Sequence, residues 1–173
     1  LHCIARFVNE QNTHNEGRDL VIRALAVADT FSETEREILA SLVRSVGLFP
    51  YMTPFLKSAD LDDYIAYELH RADNMDGDII FHSLQAKIYH QLMSGANVVL
   101  SASTSVGKSL VIDALVASGK YKKIVIVVPT IALIDETRRR LIEKFGTLYS
   151  LITHPSQSAR EDHPCVYVLT QER

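Results

Sequence analysis

Along the first 80 residues, apolar side chains recur at helical spacing. In "FSETEREILASLVRSVG" the apolar positions are Ile38, Leu39, Leu42, Val43 and Val46; Ser32 followed by Glu35 makes a capping box, and Gly47 a stop. Upstream, "RDLVIRALAVAD" sets Leu20, Val21, Ala24, Leu25 and Ala28 on one stripe. Downstream, Asp60 can cap a helix carrying Leu61, Tyr64, Ile65 and Leu69. Pro50 and Pro54 in "LFPYMTP" separate these helices. From about residue 79 the pattern changes. "SLQAKIYHQLMSG" predicts a helix, "NVVLSA" a buried strand, "KSLVIDALVAS" a helix, "KKIVIVVP" a second buried strand, "IALIDETRRRLIEKFG" a helix and "CVYVLT" a further strand. Continuous β-branched runs between amphipathic helices are what a parallel sheet covered on both faces requires. The expectation is a helical region over 1–78 and the first part of an α/β nucleotide-binding domain over 79–173, with 153–164 as a polar loop.

Composition adds exclusions. Of 173 residues, 47% are hydrophobic and 23% charged, which suits a soluble globular chain; the formal net charge of −3 means that contact with nucleic acid must come from a local patch. Two widely separated cysteines, Cys3 and Cys165, form neither a disulfide framework nor a zinc cluster, and fit a reducing, cytoplasmic setting. The longest apolar run, "IVIVV", has five residues against the roughly 20 that span a bilayer. The seven histidines show no metal-ligand spacing. The carboxylates of "DLDD" at 60–63 read as helix capping, and Tyr51, Phe55, Tyr64 and Tyr67 as core or interdomain packing.

The chemistry concentrates in "ASTSVGKS", residues 102–109, behind a predicted strand and before a predicted helix. Backbone N–H groups of such a loop and the helix dipole favour a phosphate; Lys108 can reach the β and γ phosphates and the Ser109 hydroxyl can hold Mg²⁺. Gly107 completes the Gly-Lys-Ser. The first-glycine position holds Ala102, which lacks glycine's freedom at positive φ.

An initial alanine is, however, a mark of the superfamily-2, DEAD/DEAH-box helicases, which this stretch resembles through Ala102, Thr104, Gly107, Lys108 and Ser109. Ser103, Ser105 and Val106 complete the loop, the last two replacing smaller residues of the family pattern. Gln85, 23 positions before Lys108, stands where the family places the glutamine that reads adenine; its amide can donate and accept at once. Pro129, Thr130, Ala132 and Leu133 resemble the Pro-Thr-Arg-x-Leu segment that touches the nucleic-acid backbone, with Ile131 in place of arginine. Arg138, Arg139 and Arg140 follow and could add charge to a backbone track. Thr170, Glu172 and Arg173 resemble the Thr-Pro-Glu-(Lys/Arg) element, with Gln171 in place of proline.

The resemblance spans residues 81–173 and implies a partial RecA-like P-loop domain binding ATP and Mg²⁺, and a helicase or translocase acting on nucleic acid, with DNA slightly favoured over RNA. The N-terminal helices would regulate the motor or dock a protein partner. The chain is expected to be a piece of a longer protein, since the acidic Asp-Glu-x-His/Asp motif and the second RecA-like lobe would lie beyond Arg173. The segment alone is then expected to bind ATP without efficient turnover. Two alternatives stand beside this reading: a helicase-like scaffold with weak or no ATPase activity, and an unrelated P-loop kinase. The pathway, whether repair, RNA processing or defence against phage, stays open.

Overall fold

The computed structural model describes residues 1–57, 60–72, 74–102, 106–154, 156–159 and 162–172. By backbone packing the chain divides into two compact units, Leu1–Ala72 with Asp76–Ala102, and Ser103–Arg173 with Asp73–Met75. Each is described by itself.

The first unit is helical. It contains α1 (His2–Asn9), α2 (His14–Leu25), α3 (Glu33–Ser45), α4 (Leu61–Glu68) and α5 (Ser83–Met93), with short 3-10 turns at Phe49–Tyr51 and Thr53–Phe55. The capping box of α3 forms as its sequence requires: the Ser32 hydroxyl accepts from the Glu35 N–H, and the Glu35 carboxylate accepts from the Ser32 N–H at 2.9 Å. Asp60 caps α4 by accepting from the Asp63 N–H at 2.8 Å. Two prolines set the 3-10 turns between α3 and α4, each within the first turn, where a missing N–H costs nothing. Val21, Leu39, Val43, Leu48, Phe49, Met52, Phe55 and Tyr67 form the core. Tyr51 and Tyr64, expected as packing residues with Phe55 and Tyr67, are instead about half exposed.

Helix α3 ends in a Schellman turn. Gly47, at φ 69°, donates to the Arg44 carbonyl and Leu48 donates to that of Val43, both at 3.0 Å. The Gly47 carbonyl then accepts from the Ser83 N–H at 3.2 Å, so the start of α5 is bonded to the end of α3. Phe81 donates to the His70 carbonyl and His90 to that of Leu69, and the Phe81 and Tyr89 rings meet at 5.3 Å. These bonds hold α5 within the first unit.

The second unit is a parallel sheet covered by helices on one face. Its elements are α6 (Lys108–Ala117), β1 (Lys123–Val128), α7 (Ile131–Phe145), β2 (Ser150–Ile152) and β3 (Cys165–Thr170). The strand order is β1-β3-β2, with Lys123 opposite Cys165, Val128 opposite Thr170 and Ile152 opposite Tyr167. Ile134, Leu141 and Phe145 of α7, with Val116 of α6, pack against Ile124, Ile126, Val166 and Val168.

Two expectations need correction. Residues 97–102, read as a buried strand, form none, and Val99 is 99% exposed. A strand exists only against a ladder partner, and in this sheet β1 and β2 each pair with β3 and with no part of 97–102. The run "IVIVV" is likewise not covered on both faces: Val125 and Val127 are each 60% exposed, because α7 lies on the opposite face. Helix α1 falls within the region expected to be helical, although no helix had been placed there, and the three-residue β2 had not been expected.

Candidate nucleotide and nucleic-acid site

Gly107, Lys108 and Ser109, the described end of the candidate phosphate loop, form the start of a helix. Gly107 is the N-cap of α6 at φ 74° and ψ 38°, a left-handed conformation that a residue with a Cβ adopts only under strain. The turn delivers the chain into helix at Lys108, so the positive end of the α6 dipole faces the loop. Lys108 is partly buried and Ser109 exposed on the first helical turn. Ala102 and Val106 are partly buried; Ser103, Thr104 and Ser105 lie outside the described residues. No group of three or more His, Cys, Asp or Glu side chains among the described residues is arranged to hold a metal ion.

Gln85 belongs to the first unit, as Ala102 does, whereas Gly107, Lys108 and Ser109 belong to the second. Gln85 is 5% exposed, and its Oε1 accepts from the His82 N–H at 2.9 Å as part of the α5 N-terminal cap. One amide function is thus fixed by a local bond that the sequence pattern alone did not suggest.

The nucleic-acid candidates of the second unit converge at one edge. Thr170 ends β3 and lies in register with Val128, the last residue of β1; Pro129 and Thr130 follow Val128 directly. The two threonines therefore share the carboxyl edge of neighbouring parallel strands, where open α/β sheets bind ligands. Thr130 also caps α7, its hydroxyl accepting from the Leu133 N–H at 3.3 Å. Pro129 and Thr130 are exposed, as are Arg138 and Arg139. Arg138 stands roughly 12 Å along α7 from Thr130, at 1.5 Å per residue. It lines a groove of about 740 Å³ with Ile142, Tyr149, Ser150, Gln157 and His163. Glu172 is exposed, and Arg173 lies outside the described residues.

Arg140 differs from its two neighbours. Its Nη1 donates to Asp113 Oδ1 at 2.7 Å and to the Ser109 carbonyl at 3.1 Å, while Lys144 donates to Asp113 Oδ2 at 2.8 Å. Asp113 is 1% exposed. The arginine run thus points two ways, Arg138 and Arg139 outward and Arg140 toward the phosphate-loop helix. Neither Asp113 nor Lys144 had been singled out, although one carboxylate inside "LVIDALVA" is a visible anomaly: an acid on an apolar helix face needs a partner.

Among the described residues no helix is long and apolar enough to cross a membrane. Residues 1–64 match the N-terminal domain of anti-bacteriophage protein B, and residues 82–173 match the DEAD/DEAH box helicase family. The chain is 47% identical over all 173 residues to anti-bacteriophage protein B of Escherichia coli (strain K12), and spans 23% of that relative's length. With the match at 82–173 covering more than half of its residues, the chain belongs to the DEAD/DEAH box helicase family.

Proposed function

We propose that this chain carries the nucleotide-binding part of an ATP-dependent motor that moves on nucleic acid, with DNA slightly favoured over RNA, and serves in defence against bacteriophage. One observation carries the reading: Gly107 turns a loop into α6 at Lys108 and Ser109, while Thr130 and Thr170 stand together at the carboxyl edge of the same sheet. The first group suits a magnesium-bound triphosphate and the second the phosphates of a strand. In this reading Lys108 neutralises β and γ phosphate charge, Ser109 holds the ion, Gln85 reads adenine, and Ala102 through Val106 form the cradle. Pro129, Thr130, Arg138, Arg139 and Thr170 grip the strand backbone, without selecting its sequence. ATP supplies the energy for movement; the residues described here bind and orient it. The helical region, 1–78, regulates this motor or docks a protein partner. The defence role rests on the name of the Escherichia coli relative and on the 47% identity to it.

The test is ATP hydrolysis by the full-length protein, alone and with single-stranded DNA or RNA, beside Lys108→Ala. The expected result is turnover stimulated by DNA and lost in the variant, with phage plating restored in cells that carry the variant. Turnover indifferent to both polymers, or undiminished in Lys108→Ala, would refute the motor.

A further inference from the structure

We infer that Arg140 is a positioning residue for the phosphate loop: held by buried Asp113, it fixes the first turn of α6, and with it Lys108 and Ser109, against α7. The inference deepens the nucleotide-binding role proposed above and rests on it.

Three facts carry it. A single guanidinium nitrogen bonds both the backbone carbonyl of Ser109 and the carboxylate of Asp113, four residues and about one turn later on the same helix face. Arg140 therefore grips α6 by main chain and side chain together. Second, both carboxylate oxygens are taken, Oδ1 by Arg140 and Oδ2 by Lys144, with the Asp113 side chain 2% exposed against 26% for Arg140 and 41% for Lys144. A buried charge cluster of this kind is a weak source of stability, since apolar residues of similar volume commonly fold as well or better. Val116, three residues beyond Asp113 on α6, and Leu141, next to Arg140 on α7, are both fully buried in one apolar cluster, which suits such residues. Third, the bonds are directional where the rest of the α6–α7 contact is not. Apolar packing permits a helix to slide or rotate slightly, and a guanidinium nitrogen held between two fixed acceptors does not. A phosphate site read by backbone N–H groups and one hydroxyl is sensitive to such movement, because displacements near 1 Å cost up to about a hundredfold at a preorganised site.

The experiment compares full-length wild type, Asp113→Leu/Arg140→Met, Arg140→Lys and Lys108→Ala by two readouts: thermal midpoint without nucleotide, and affinity for MgATP. The apolar double variant is expected to keep its midpoint within about 3 °C of wild type while binding MgATP about tenfold more weakly. Arg140→Lys, which keeps the charge but loses the rigid planar guanidinium that sets Nη1 between its two acceptors, is expected to be weakened about threefold. Wild-type affinity in the double variant would overturn the inference and leave the cluster as packing. Should the double variant lose more than about 10 °C, Arg140→Lys decides, with unchanged affinity again overturning the inference. Binding abolished in Lys108→Ala but intact in both cluster variants removes this inference and leaves the nucleotide reading standing. A wild type that binds no MgATP removes both.

Discussion

Replacing Gly47 by alanine should weaken the first unit at the bond between α3 and α5. The added Cβ would sit 2.8 Å from Ser83 Cβ and against Ser83 Oγ, at a residue held at φ 69°. The left-handed backbone alone costs an L-residue about 1–2 kcal/mol. Overpacking against a helix start that is itself hydrogen-bonded to Gly47 adds about 1–3 kcal/mol. The expected loss is therefore about 3 kcal/mol, or about 2 M in the urea midpoint for a unit of this size. Two further variants separate the causes. Ser83→Gly alone should cost about 0.5–1 kcal/mol, as glycine near a helix start does. Combined with Gly47→Ala it should remove the clash but not the backbone strain, so the double variant should be about 1.5–2 kcal/mol more stable than additivity predicts. The assay is urea unfolding followed by circular dichroism, with each variant measured in parallel. A loss under about 1 kcal/mol for Gly47→Ala, or a strictly additive cycle, would refute the assignment of this contact as a rigid joint.

Other outcomes follow from the same structure. Burial holds the imidazoles of His70 and His82 below the usual value of 6.5, with Coulombic repulsion from Arg18 adding to it at His82. The fold thus favours their neutral forms: the stability they support is complete above 6.5 and is lost as pH falls through their depressed values, so the thermal midpoint of the first unit should drop between pH 7 and pH 5. His70→Asn/His82→Asn should flatten that profile, and a flat wild-type profile would exclude the effect. In the second unit, Thr130→Val should cost about 1 kcal/mol in urea unfolding by removing the α7 cap, whereas Thr130→Ser should cost little. Equal losses for the two would mean that the hydroxyl bond to Leu133 contributes nothing.

Local signals were legible wherever the deciding partner lies a few residues away. The Ser32–Glu35 box, the Asp60 cap and the Gly47 stop are all short-range hydrogen-bond patterns, and each formed. The same holds for α5, α6, α7, β1 and β3, whose periodicity is strong. Strand character over 97–102 was overread because a ladder partner is a long-range requirement that no run of valines contains. Conversely β2, with three residues, is too short to carry a period. At the site, adjacency of Thr130 and Thr170 could not be read from spacing, since it depends on β3 pairing directly with β1 in that register. The role of Arg140 was hidden for a different reason. In a run of three arginines, residue type says nothing about which one turns inward; the rotation of α7 decides it, and the mate, Asp113, lies 27 positions away.

The strand order β1-β3-β2 also bears on how the chain is made. Of the three described strands the last to be made is the one that sits between the other two, so among the described residues β1 and β2 find their partner only when residues 165–170 emerge. The helical first unit, built from contacts close in sequence, can form while the rest is still being translated. At about 5–20 residues per second, the wait from the end of β1 to the end of β3 lasts a few seconds, during which two apolar strands stand with bare edges. Synthesis itself thus opens a window in which a chaperone, or a neighbouring nascent chain, competes with β3 for the same backbone.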